Sequence, residues 1–224
     1  MPRTLTITKE VYQFSELSDA AKNTARDWMR ECQAQDNDLL DRNLDDFETV
    51  AKILGVTFRT HDIQLMSGKT RRAPNIYWSG FSSQGDGLCF EGSWSLRKES
   101  IAEIKEHAPQ DEKLHAITEG LWPTLFGKEF GLSATITHSG HYYHENSVDI
   151  EVSHDEWDDD GDVEADDLNE RVRVADQIRE ALKDLMRWMY RQLEADDEHI
   201  NSDECIDETI ECNEYEFEKD GTVI

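Results

Sequence analysis

The sequence predicts an α+β fold: a mainly antiparallel sheet of about four or five strands covered by helices, with a long amphipathic helix near the C-terminus. Three observations carry that expectation. Segments rich in β-branched and aromatic residues are joined by connections too short for crossovers. Segments with apolar residues three and four apart flank them. The two kinds do not alternate in a βαβ rhythm.

Taken in order, Thr4–Lys9 alternates Leu5 and Ile7 with polar residues, as a short strand does. Ser18 is a natural N-cap for a helix whose apolar stripe is Ala21, Ala25, Trp28, Met29 and Cys32. A second helix, about Asp38–Leu54, places Leu40, Leu44, Phe47, Ala51 and Leu54 on one face, and Gly55 stops it. Val56–Leu65, Ile76–Ser82 and Leu88–Leu96 read as strands, with a compact turn at Ser83–Gly87 between the last two. Residues 100–119 read as helix interrupted at Pro109. Leu132–Thr137 and Ser147–Ser153 form a hairpin around His138–Asn146. After the acidic loop Asp155–Asp167, a helix at about Asp166–Glu198 carries Leu168, Val172, Ala175, Ile178, Leu182, Leu185, Met189 and Leu193 on one stripe. Ser202 caps a last helix, Asp203–Cys212, and Glu214–Ile224 is an extended tail with an Asp-Gly turn.

A chain of 224 residues can bury one sizeable core, so a single domain is expected. In it, residues 1–150 form the scaffold and 151–224 an acidic loop with C-terminal helices. Fifty acids against 23 bases give a formal charge of −27, and the excess is uneven. Residues 1–150 hold 23 acids and 16 bases, whereas residues 151–224 hold 27 and seven. Such a field repels nucleic acid and anionic membrane and attracts basic surfaces. No apolar run has the length of a membrane span, and the start MPRTLTITKEVYQF has no signal-peptide core, so a cytoplasmic location is expected. Cys32, Cys89, Cys205 and Cys212 are scattered without a CxxC pair, which signals neither a zinc ribbon nor a redox couple. No cofactor is expected.

Four blocks carry a family resemblance: Phe14-Ser-Glu-Leu-Ser-Asp-Ala-Ala-Lys, Ile76-Tyr-Trp-Ser-Gly-Phe-Ser-Ser-Gln-Gly-Asp-Gly-Leu-Cys-Phe-Glu-Gly-Ser, Gly140-His-Tyr-Tyr-His, and the pair Met186-Arg-Trp-Met-Tyr-Arg-Gln-Leu-Glu and Glu208-Thr-Ile-Glu-Cys-Asn-Glu-Tyr-Glu-Phe. Together they span most of the chain. They resemble a family of tailed-phage and prophage proteins, some of which are labelled antitoxin-like. The resemblance implies a phage or prophage origin and brings no catalytic residues with it.

Several motifs could carry chemistry. The Ser83–Gly87 turn with Asp86 and Glu91 could bring carboxylates and backbone N–H groups to a ligand, although a Gly-Asp-Gly turn needs those residues for its geometry alone. His138, His141 and His144, three apart in one loop, are weak candidates for a transition-metal site. Glu156–Asp167 has calcium-loop spacing with Gly161 at the sixth position, but its end residues reverse the usual Asp and Glu and a strand precedes it. No catalytic triad, His-Glu-x-x-His or Cys/His dyad is legible.

The charge is therefore the leading functional feature. The first expectation is a phage-encoded acidic binding protein that inhibits a host nucleic-acid-handling defence protein, of anti-CRISPR or anti-restriction type, by DNA mimicry. Its partner would present a basic nucleic-acid-binding surface. Its contact residues would be Asp158, Asp159, Asp160, Asp162, Glu164, Asp166 and Asp167, with Asp196, Asp197 and Glu198 as a second cluster. The second is a metal-dependent hydrolase using Asp86, Glu91 and the histidine loop. The third is an antitoxin-like or oligomeric accessory protein, a homodimer included, associating through exposed Trp188 and Tyr190.

Overall fold

A computed structural model describes residue 3 and residues 8–34, 38–123, 131–154 and 165–224; of residues 165–167 it describes the backbone alone. The predicted strand Thr4–Lys9 falls largely outside these residues. The fold is α+β, as the sequence predicts, with every strand pairing antiparallel. The chain divides into two compact units, residues 1–42 with 193–224, and residues 43–192. Two helices, α2 (Leu39–Leu54) and α5 (Ala165–Ile200), cross the division in sequence.

In the first unit, α1 (Asp19–Gln33) starts where Ser18 accepts a hydrogen bond from the Ala21 N–H, and α6 (Asp203–Cys212) starts where Ser202 accepts one from Cys205. Such caps satisfy backbone donors that the first helical turn leaves open. Ala21, Ala25 and Met29 of α1 share a core with Ile206 and Ile210 of α6, Phe14, Leu17 and Phe217. Cys32, expected on that stripe, is exposed, because the stripe ends with the helix one residue later. The tail returns as β10 (Glu216–Phe217) beside β1 (Tyr12–Gln13), and Trp28 meets Tyr215 edge-on at 5.1 Å.

In the second unit, a four-stranded sheet runs β2 (Val56–Phe58), β7 (Gly92–Ser95), β8 (Leu132–His138), β9 (Val148–His154) in spatial order. Leu132, Ala134 and Ile136 alternate with more exposed residues, and Ile150, Val152 and His154 do the same, so one face is covered. The cover is α2 and α5 with α3 (Ser100–His107) and α4 (Glu112–Gly120), the last two separated at Pro109 as expected. Side chains tie these pieces together. Trp94 donates to the Leu54 carbonyl at 3.0 Å, Arg179 to that of Ile150 at 3.0 Å and Gln177 to that of Gly120 at 3.0 Å.

Two corrections fall on α5. Leu168 and Val172 continue the predicted stripe, yet both are more than half exposed; burial begins at Val174 and Ala175. Trp188 and Tyr190, expected as exposed anchors, are engaged within the unit. Trp188 is buried, meets Phe47 at 6.0 Å and donates its indole N–H to Asp111 at 2.7 Å. Tyr190 is half-buried against Phe81 and donates to the Gly80 carbonyl at 2.7 Å.

Candidate functional site

The predicted strand Val56–Leu65 breaks at Arg59, and Leu88–Leu96 breaks at Glu91. Both breaks have one cause. Three two-stranded ladders meet at a point: β2 with β7, β3 (Thr60–Gln64) with β4 (Thr70–Pro74), and β5 (Ile76–Trp78) with β6 (Leu88–Phe90). Arg59, Asn75 and Glu91 lie between consecutive strands and close a ring of backbone hydrogen bonds. The Arg59 N–H donates to Glu91 at 2.8 Å, that of Glu91 to Asn75 at 2.9 Å and that of Asn75 to Arg59 at 2.7 Å. Each residue thus leaves one ladder for another without stranding a donor or acceptor.

The side chains follow the backbone. Buried Asn75 donates to Glu91 Oε2 at 2.5 Å and pairs its oxygen with His61 Nδ1 at 2.8 Å. Glu91 also accepts from Tyr77 at 3.4 Å and from the His138 N–H at 3.4 Å, and Arg59 lies 3.9 Å away. Burial, the largest single influence, favours the neutral carboxyl, but Asn75, the His138 N–H, Arg59 and Tyr77 together hold it below its usual range. Beside it the Tyr77 ring stacks on Tyr143 at 5.5 Å, and burial pushes the buried Cys89 thiol up to about 11.

Because the Glu91 pKa is lower folded than unfolded, its stabilisation is complete above the ordinary value of 4.5 and is lost as pH falls through the folded one. The Glu91→Gln variant is therefore expected to lose less stability than the wild type on acidification, read as the urea midpoint between about pH 5 and pH 3. Equal acid slopes in the two proteins would remove Glu91 from the account.

The Gly-Asp-Gly turn and the histidine loop do come together. A Cβ on Gly87 would fall 2.7 Å from that of His144, and one on Gly85 would fall 3.1 Å from the Tyr142 ring. Gly87 is thus needed for close approach of the two loops. Asp86 turns back on its own loop, accepting from the Ser83 and Ser82 N–H groups at 2.6 and 3.0 Å; the Ser83 bond, opposed by burial and helped by Ser82 and Ser79, lowers its pKa. His138 Nε2 is 2.9 Å from the Tyr142 carbonyl, His144 Nδ1 accepts from the Asn146 N–H at 3.0 Å, and His141 is exposed. Among the described residues no group of three or more His, Cys, Asp or Glu side chains is arranged to hold a metal ion.

Of the predicted acidic contacts, Asp158, Asp159, Asp160, Asp162 and Glu164 lie outside the described residues, as does most of the Glu156–Asp167 loop. Asp166 and Asp167 are described in backbone only, within the first turn of α5. In the second cluster Glu198 is exposed, Asp196 half-exposed, and Asp197 accepts from the Asn201 side chain at 3.1 Å. Partial burial, then the neighbouring Asp196 charge, push the Asp197 carboxyl up against that hydrogen bond.

The structure adds acids that the sequence reading passed over. On α6, Asp207 receives a two-pronged grip from Arg26, both distances 2.6 Å, and Asp203 receives Arg30 at 2.5 Å. Opposite the buried Ile206 and Ile210, Glu204, Glu208 and Glu211 are exposed at positions i, i+4 and i+7. They make a ladder of carboxylates at intervals of about 5 Å along the helix, compared with about 3.4 Å per phosphate along one DNA strand. Their i, i+4, i+7 spacing is legible in the sequence, where the denser acidic run at 155–167 overshadows it. Residues 193–224 as a whole carry 13 acids and one lysine.

The fold and this surface define an acidic α+β protein with a helix-borne array of carboxylates. Residues 40–203 match a domain of unknown function, DUF8835, and the chain belongs to that family. No curated protein and no solved structure matches the chain. Among the described residues no helix is long and apolar enough to cross a membrane.

Proposed function

We propose that the chain is an acidic binding protein that captures a basic protein surface of the kind that otherwise holds nucleic acid. The observation that carries this reading is the exposed row Glu204, Glu208 and Glu211, set on a helix that α1 grips through Arg26 and Arg30. Rigid carriage matters, because a preorganised array loses less side-chain and backbone freedom on binding than a mobile tail does. Asp196 and Glu198 extend the field, and the acidic run 158–167 adds to it in sequence. The resemblance to tailed-phage proteins directs the proposal to a host nucleic-acid-handling defence protein, of CRISPR or restriction type, met in the host cytoplasm.

The test is a pull-down from host lysate with the wild-type chain and with Glu204→Gln/Glu208→Gln/Glu211→Gln. Nucleic-acid-handling proteins are expected on the wild type, lost on the triple variant and released by raising the salt severalfold above physiological. Retention that ignores both salt and neutralisation would sink the reading.

A further inference from the structure

The two outer strands of the four-stranded sheet are finished differently. On β9 the Ile150 carbonyl turns outward, and Arg179 of α5 donates to it at 3.0 Å. On β2 the phase is set by two flanking bonds, from the Ser95 N–H to the Gly55 carbonyl at 3.0 Å and from the Arg59 N–H to that of Glu91 at 2.8 Å. Gly55, Thr57 and Arg59 thus face the β7 side, and Val56 and Phe58 turn their N–H and C=O groups away from it. Among the described residues nothing bonds to those outward groups. Val56 is nevertheless only 4% exposed. Covered backbone groups without partners are costly, and an open strand edge is a template for another strand.

The same edge lines a groove of about 530 Å³, within the size range of ligand sites. Ala51, Phe58 and Pro74 give it apolar walls. Of its three charged residues, Arg97 is already bound to the Lys52 and Ile53 carbonyls and to Glu103. Glu48 and Lys52, exposed and one helical turn apart on α2, have no ion-pair partner among the described residues. Four helical residues rise about 6 Å, and two residues of a strand about 6.6 Å. A strand laid along β2 therefore brings side chains two positions apart to Glu48 and Lys52 in turn. We propose that the groove takes an extended peptide segment of another protein, which adds to β2 as a fifth strand. Its main chain bonds to Val56 and Phe58, and it sets an acidic residue against Lys52 and a basic one, two positions away, against Glu48. In such strand addition the main chain gives affinity and alternate side chains give selectivity. The inference is independent of the proposed function, since the groove holds none of the carboxylates of α6.

Selection from a random heptapeptide library on the full chain tests it. Enriched peptides are expected to carry an acidic and a basic residue two positions apart. The charge-swapped chain Glu48→Lys/Lys52→Glu should bind the best of them at least about tenfold more weakly. Both positions are exposed, so circular dichroism should show the variant folded; Lys52→Gln serves if the swap perturbs α2. N-methylation of successive peptide residues should weaken binding at every second position, because only alternate N–H groups face β2. Amide exchange followed by NMR should slow at Val56 and Phe58 when the peptide is added, while Thr57, already bonded toward β7, is slow throughout. A library that enriches nothing, binding that ignores the charge swap, or an N-methyl scan without a period of two would overturn the inference. So would protection of Val56 and Phe58 that grows with protein concentration in the absence of peptide, which would make a second copy of the chain the occupant.

Discussion

Replacing Trp94 by alanine is expected to destabilise the sheet unit by about 3–5 kcal/mol, the usual cost of removing a fully buried large aromatic. The residue is the largest of the fully buried side chains. It sits on β7, between β2 and β8, and its indole N–H donates to the Leu54 carbonyl at 3.0 Å. That carbonyl lies at the end of α2, where no further turn of helix can take it up. The chain then reverses through Gly55, at φ +81, into β2. The side chain therefore fills the space under the helices and also closes the end of one of them. Trp94→Phe weights the two roles differently: it keeps most of the packing and loses the hydrogen bond, at about 1–3 kcal/mol. Urea unfolding reads both. A Trp94→Ala midpoint close to that of the wild type would show that the site collapses around the loss.

Gly221→Ala is expected to dislodge the C-terminal tail, at about 2–5 kcal/mol for left-handed backbone together with overpacking. Gly221 sits at φ +91, and a Cβ there would fall 2.1 Å from the Ala21 carbonyl oxygen and 2.8 Å from its carbon. Both atoms are backbone within α1, so neither can rotate aside. The strain is relieved only if the turn lifts, and the turn is held by the Glu218 N–H on the Thr222 carbonyl at 2.8 Å and the Phe217–Val223 bridge. Lifting it would uncover Phe217, which is fully buried beside Phe14. Limited proteolysis should then cut the tail in the variant and spare it in the wild type. Equal cleavage would mean that the tail adjusts without leaving its place.

What could be read in advance followed the range of the forces involved. The caps at Ser18 and Ser202 and the interruption at Pro109 are local, and each stands where the residues put it. The hairpin of β8 and β9 was legible because alternation and a short loop specify it together. The ring of Arg59, Asn75 and Glu91 was not, because each residue exchanges hydrogen bonds with chain 16 or more residues away. Only Thr70 in Thr70–Pro74 favours a strand, and β4 exists through its partner β3. Leu168 and Val172 keep the helical period where more than half of each side chain is exposed, and periodicity cannot report what lies opposite. For the acids, composition found the region, but only the partnership of Asp203 and Asp207 with α1 shows which carboxylates remain outward.

The pairing of α1 with α6 has a consequence for synthesis. Arg26 and Asp207 are 181 residues apart, and the core between the two helices is closed by residues as late as Phe217. At the usual elongation rate of about 5–20 residues per second, α1 emerges from the ribosome roughly 10–35 s before its partner exists. For that interval Phe14, Ala21, Ala25 and Met29 have no native cover, while residues 43–192 can already assemble on the growing chain. The nascent N-terminal helix is thus a ready client for a chaperone, and its unit is the last to form.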